Sequence, residues 1–102
     1  MLRCLAVLLL LALPARADET VVSPERARAA LLAGQIKPLA TLLATIEARY
    51  SGQVVEAELR EEDGRWSYEF ELLPMDGRLF SVVLDARTAA VMLTRGPVQE
   101  RR

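Results

Sequence analysis

The sequence predicts an α+β domain with two N-terminal helices packed on one face of a three- to four-stranded antiparallel β-meander. Apolar residues recur at helical spacing as far as Tyr50, and they alternate with polar residues from Gln53 onwards. An Asp63-Gly64 pair separates two of the alternating segments, which is typical of a tight β-hairpin. Strands joined by such short turns form antiparallel sheets, and the apolar helical stripe then covers one sheet face.

The first residues of the chain indicate export. Met1–Arg3 is short and positively charged, an apolar run follows over residues 4–13, and Ala15–Ala17 has the small residues of a cleavage site. The apolar run is about half of the ~20 residues that a membrane-spanning helix needs. We therefore expect a signal peptide at residues 1–17, a periplasmic or secreted location, and no stable membrane insertion after cleavage.

The composition of the processed chain argues against several functions. Cleavage removes the only cysteine, Cys4, and two arginines, which leaves 11 basic against 14 acidic residues and a net charge of −3. Nucleic acid is an unsuitable partner, because phosphates require a basic surface. The sequence has no histidine, the commonest general base and metal ligand, and the processed chain has no cysteine to act as a nucleophile or zinc ligand. Its one lysine, Lys37, is not a sequence neighbour of any serine. We expect no catalytic residue, no metal and no cofactor, and hence no enzyme.

The processed chain divides into an extended lead-in at 18–23, a domain at 24–95 and a flexible polar tail at 96–102. Ser23-Pro24-Glu25 has the N-cap, the first-position proline and the first-turn acid of a helix that ends at Gly34. A second helix is expected from Pro38 to about Tyr50. The apolar stripe of this helix comprises Leu39, Leu42, Leu43, Ile46 and Tyr50.

Four strands are expected, at residues 53–62, 65–73, 78–85 and around 90–94. With a two-residue turn at Asp63-Gly64, Ala57 faces Phe70 and Val55 faces Leu72, all on the core face. A three-residue loop from Met75 to Gly77 then keeps the third strand in phase with the second. The alternating aromatic residues of the second strand are interpreted as core: Trp66, Tyr68 and Phe70.

The same register places four carboxylates together on the opposite face of the sheet. Glu56 lies opposite Glu71, and Glu58 lies opposite Glu69. Directly opposed like charges destabilise a sheet by a few tenths to about 1 kcal/mol, so neutralising Glu58 and Glu69 is expected to stabilise the free domain. The patch has three interpretations: a solvated outer face, a docking surface for a basic protein segment, or oxygen ligands for a divalent cation such as Ca²⁺.

Apolar residues are also expected on this outer face. Leu79, Val83 and Val54 point outward in the predicted register, unless the first helix covers them. Leu79 and Val83 therefore extend the candidate interaction surface, and a homodimer that buries both is a further interpretation. The two edges of the meander are another candidate, because an open edge accepts a strand from a partner.

The order and spacing of these segments resemble the PepSY domain family. The resemblance is carried by Gly52–Leu59, by Asp63–Phe70 with its Tyr-Glu-Phe ending, and by Val83–Thr88. Ala89 departs from the family pattern, which has glycine after the threonine. If this position requires a positive φ, alanine strains it by about 1 kcal/mol.

The resemblance implies a non-catalytic interaction or inhibitory module. PepSY domains occur in propeptides of secreted metallopeptidases, in spore-coat-associated proteins and as small stand-alone periplasmic proteins, often beside two-component signalling systems. It therefore implies a protein partner, either a peptidase or the ectodomain of a sensor kinase. The alternative is a small periplasmic sensor domain that binds a small ligand or a cation.

Overall fold

A computed structural model describes residues 22–102, in which two helices precede a four-stranded antiparallel sheet. The predicted signal peptide and most of the lead-in lie outside the described residues. The predicted fold class is confirmed, with strand order β1-β2-β3-β4. The elements are α1 (Pro24–Leu32), α2 (Leu39–Arg49), β1 (Gln53–Glu62), β2 (Arg65–Leu73), β3 (Phe80–Asp85) and β4 (Val91–Arg95).

Helix α1 begins at the predicted cap. The Ser23 hydroxyl accepts a hydrogen bond from the Arg26 backbone N–H at 3.2 Å, and Pro24 occupies the first helical turn, where no N–H donor is needed. The helix lies on the core face of the sheet, because Ala30 is buried in the core and the Arg26 guanidinium lies 5.4 Å from the Trp66 ring centre. It therefore does not cover the outer face.

The core forms where α2 meets the sheet. Leu42, Ile46 and Tyr50 of the predicted stripe are fully buried, whereas Leu39 at the start of the helix is exposed. The sheet supplies alternate residues of β2 and β3, as the two-residue period requires. Those in the core are Trp66, Phe70, Leu72, Phe80, Val82 and Leu84, with Tyr68 partly buried beside them.

The β1–β2 hairpin has the predicted turn and, from Ala57 onwards, the predicted register. Asp63 and Gly64 both have positive φ, as a two-residue hairpin turn requires. The predicted pairing of Val55 with Leu72 is wrong, because a bulge lies between Val54 and Glu56. Val54 takes the place opposite Leu72 and packs against the core, and Val55 becomes exposed. Val54 therefore does not point to the outer face.

Strand β3 keeps its predicted register but begins at Phe80 rather than Arg78. The loop before it has its own hydrogen bonds: Gly77 N–H donates to the Pro74 carbonyl at 3.0 Å, and Arg78 N–H donates to the Asp76 carboxylate at 2.9 Å. The Arg78 N–H is therefore used within the loop and is not free to pair with β2.

The turn between β3 and β4 contains the departure from the family pattern. The Asp85 carboxylate accepts the backbone N–H groups of Arg87 and Thr88 at 2.8 and 3.0 Å, which shapes the turn. Ala89 follows with a φ of 73°, so this position does require the left-handed region. The expected strain at Ala89 is thus present in the structure.

The C-terminal tail crosses the end of the sheet and reaches the end of α2, where the sequence predicted a flexible segment. Glu100 forms an isolated antiparallel bridge with Tyr50, and Ser51 N–H donates to the Gln99 carbonyl at 2.8 Å. Val98 packs against the core. Backbone pairing and this apolar contact help to hold the C-terminal tail, whose other residues are mostly polar, against the domain.

Candidate functional site

The four predicted carboxylates lie together on the outer face of the sheet. Glu58 pairs with Glu69 and Glu56 pairs with Glu71 across the β1–β2 hairpin, in the predicted register. A shallow depression of about 100 Å³ is lined by all four carboxylates together with Arg60 and Ser81. We refer to Glu56, Glu58, Glu69 and Glu71 as the carboxylate patch.

Two arginines neutralise one half of the carboxylate patch. Arg60 contacts the Glu58 carboxylate at 2.7 Å and the Glu69 carboxylate at 3.7 Å. Arg95 of β4 contacts Glu69 at 3.0 Å from the opposite side. The hydrogen bond to Glu58 is the largest effect that raises the pKa of Arg60 above its ordinary value, while partial burial acts in the opposite direction. The guanidinium therefore stays charged.

The other half of the carboxylate patch has no such partner. Among residues 22–102, neither Glu56 nor Glu71 has an ion-pair partner within 4.0 Å, although they face each other across the strands. The excess negative charge of the patch is therefore concentrated on Glu56 and Glu71. This division alters the expectation for Glu58 and Glu69, since neutralising them removes ion pairs as well as repulsion.

The two apolar residues predicted beside the patch differ in accessibility. Leu79 is 46% exposed and lies in the loop before β3. Val83 lies on the outer face opposite Glu69 and Leu93, but only 7% of it is exposed. The Arg95–Glu69 ion pair joins β4 to β2 and so passes over β3 on this face. Val83 is therefore not available as the apolar contact that the sequence predicted, either for a partner or for a homodimer.

A groove beside β1 was not anticipated from the sequence. It is a wide, open depression of about 600 Å³ between α2 and the first half of β1, and we call it the edge groove. Ala57 pairs with the buried Phe70 and hence faces the helix side, yet it is exposed. The groove is lined by Leu43, Glu47, residues 52–57 and Arg101.

The docked tail closes one end of the edge groove. Arg101 Nε donates to the Glu47 carbonyl at 2.6 Å, and its backbone N–H donates to the Arg49 carbonyl at 2.8 Å. These are carbonyls of the last turn of α2, where no further helical N–H is available and a cation is favoured by the helix dipole. The sequence signal for this contact is weak, because two terminal arginines are equally compatible with a solvated tail.

A second depression lies at the opposite end of the sheet, where three turns meet. It encloses about 710 Å³ and is lined by the α1–α2 turn, the Asp63-Gly64 turn and the Asp85 turn. Its lining contains two acidic side chains, Asp63 and Asp85, and two basic side chains, Arg65 and Arg87. Such mixed charge selects neither an anionic nor a cationic ligand.

The described residues contain neither a metal cluster nor a membrane-spanning helix. Within residues 22–102, no group of three or more acidic, histidine or cysteine side chains is placed to hold a metal ion. Helices in this part of the chain are too short and too polar to cross a membrane. The three interpretations of the carboxylate patch therefore differ in support, and the cation site has none from the geometry.

Comparison with known proteins identifies a family for the chain. The family model described as "Peptidase propeptide and YPEB domain" (PepSY) matches residues 21–95, which is most of the chain. No curated protein and no solved structure matches the chain. The match spans both helices and all four strands, from the cap of α1 to the end of β4. The chain belongs to the PepSY family.

Proposed function

We propose that this chain is an exported, non-catalytic protein-binding module that regulates a peptidase or the ectodomain of a two-component sensor. The observation that carries the proposal is the excess charge on the outer face, where Glu56 and Glu71 face each other without a cation among the described residues. Such a pair lowers the stability of the free domain. Its repulsion is relieved when a partner supplies an arginine or a lysine.

Membership of the PepSY family supports a peptidase as the first partner to test, because the description of the family names peptidase propeptides. A module without catalytic groups regulates by occupying a surface of its partner. For a peptidase, the β1–β2 hairpin masks the approach to the active site. For a sensor, the same contact favours one of two conformations of its ectodomain.

The proposal is tested by affinity capture with matched charge reversals. The processed chain is immobilised and incubated with exported proteins of the organism that makes it, and retained peptidases and sensors are identified by mass spectrometry. Parallel columns carry Glu56→Lys and Glu25→Lys, since both residues are exposed and Glu25 lies on α1. We expect a partner whose activity changes on binding, retained by E25K and lost by E56K.

Two results would contradict the proposal. A partner retained equally by both variants would show that the outer face does not carry the interaction. Turnover of any substrate by the purified chain would show that the module is catalytic.

A further inference from the structure

Strand β1 has an open edge. It pairs with β2 on one side only, so every second residue directs its backbone N–H and C=O away from the sheet. Pairing with β2 is regular over Glu56–Glu62, beyond the bulge at Val55, which gives an edge of about 20 Å at ~3.4 Å per residue. This stretch contains no proline, and its charged side chains are four glutamates and Arg60, so a partner strand needs basic residues to pair here.

The two sides of this edge differ in chemistry. A strand added to β1 sends alternate side chains to opposite faces of the extended sheet. On the helix side they meet Leu43, Val54 and Ala57 in the edge groove. On the outer side they meet Glu56, which has no ion-pair partner among the described residues, and Glu58, which is paired with Arg60. The edge therefore suits a segment in which apolar residues alternate with basic ones.

The other edge of the sheet does not suit such a segment. Strand β4 (Val91–Arg95) is half the length of β1, with 5 residues against 10. A register shift between Val83 and Leu84 interrupts its pairing with β3. Its only charged residue is Arg95, which repels a basic strand and already binds Glu69. Strand length and charge therefore favour the β1 edge over the β4 edge for such a segment.

The tail provides an example of this kind of contact within the chain. Residues 99–101 run antiparallel to residues 49–51, immediately before β1, and are joined to them by backbone hydrogen bonds. Arg101 of this extended segment reaches the Glu47 carbonyl at the end of the edge groove. The residues that lead into β1 thus pair with an extended segment that carries arginine, while the edge of β1 itself stays unpaired within residues 22–102.

We propose that the open edge of β1, together with the edge groove, binds an extended segment of a partner protein in which apolar residues alternate with arginine or lysine. The inference rests on the proposed function and adds the place of contact and the chemistry of the segment. Backbone hydrogen bonds to β1 supply affinity, and the alternation supplies specificity.

The test uses capped synthetic peptides with a fluorescent label, and binding is measured by anisotropy. The probe alternates valine and arginine. One control has the same composition with all arginines before all valines, and another carries N-methyl groups on alternate amides, which removes every second backbone donor. We expect the alternating peptide to bind and both controls to bind at least about tenfold more weakly, a difference of ~1.4 kcal/mol.

A pair of variants locates the binding edge. Ala57→Lys places a positive charge in the edge groove, and Thr94→Lys places the same charge on β4, with both residues exposed in the free domain. We expect A57K to weaken peptide binding about tenfold and T94K to change it less than about twofold. Thermal unfolding of both variants checks that the domain remains folded.

The outcomes separate this inference from the proposed function. Equal binding of the alternating and block peptides, or equal loss in A57K and T94K, would overturn the edge site. If A57K still retains a partner captured by the wild-type chain, the edge site is wrong while the proposed function stands. Peptide binding at β1 without any captured partner would support the edge site and contradict the proposed function.

Discussion

Neutralising the two halves of the carboxylate patch should change stability in opposite directions. The double variant Glu56→Gln/Glu71→Gln removes an opposed pair that has no cation among the described residues. The double variant Glu58→Gln/Glu69→Gln removes an equivalent opposed pair together with three ion contacts, two from Arg60 and one from Arg95. The sequence alone predicts that neutralising Glu58 and Glu69 stabilises the domain, whereas the ion contacts in the structure predict a loss of stability for this variant and a gain for the other.

The magnitudes follow from simple electrostatics. Two carboxylates on the order of 6 Å apart repel by about 0.7 kcal/mol in water, and measured cross-strand pairs fall in the range of about 0.2–1 kcal/mol. Each half-exposed ion contact stabilises by about 0.3–0.5 kcal/mol. The E56Q/E71Q variant should therefore gain about 0.5 kcal/mol in unfolding free energy. The E58Q/E69Q variant should lose about 0.5 kcal/mol, because the lost contacts outweigh the relieved repulsion.

Thermal unfolding at low salt measures the difference directly. A gap of about 1 kcal/mol between the two variants corresponds to about 4–8 °C in Tm for a domain of this size. The gap should shrink in 1 M salt, where the screening length falls to about 3 Å. Stabilisation of both variants to the same extent would refute the role assigned to Arg60 and Arg95. A lower Tm for E56Q/E71Q would refute the repulsion itself.

Three further changes test other parts of the structure. Ala89→Gly relieves a positive φ at the cost of a little buried surface, so Tm should rise by a few degrees (about 0.5 kcal/mol). The neighbouring control Ala90→Gly should lower Tm, and the reverse order of the two variants would contradict the turn geometry. Burial raises the pKa of Tyr68 above its ordinary 10.0, so stability from this group is present below pH 10 and is lost as pH rises through the folded pKa. In urea unfolding, Tyr68→Phe should reduce this loss of stability at alkaline pH. An unchanged dependence of the unfolding free energy on pH would contradict the burial of this hydroxyl. Deleting residues 98–102 removes the two backbone hydrogen bonds that join the tail to residues 49–51 and the contact of Val98 with the core, so the unfolding free energy should fall by about 1–2 kcal/mol. No change in the urea midpoint would contradict tail docking.

Local signals were sufficient to predict the helices and the hairpin. Ser23-Pro24 marks the start of α1, and Asp63-Gly64 determines which residues of β1 and β2 face each other. Because side chains alternate strictly along a strand, that register also placed all four carboxylates on one face. The acidic part of the candidate surface was therefore predictable from the sequence.

The remaining features depend on contacts that leave little trace in the residue pattern. Val54 and Val55 are equally apolar, so nothing in the alternation indicates which of them leaves the ladder at the bulge. The tail is held partly by backbone hydrogen bonds, which do not depend on side-chain type, and partly by side-chain contacts to residues distant in sequence. Val83 is buried on a face that the pattern marks as outer, in the strand over which Arg95 of β4 pairs with Glu69 of β2.

Hydrogen–deuterium exchange of residues 18–102, alone and with any partner that the affinity capture retains, tests the central claim most directly. Binding along the β1 edge should slow exchange of amides within Gln53–Glu62 and leave those of Val91–Arg95 unchanged. Slower exchange confined to β4, or unchanged exchange throughout the sheet in a stable complex, would contradict the account.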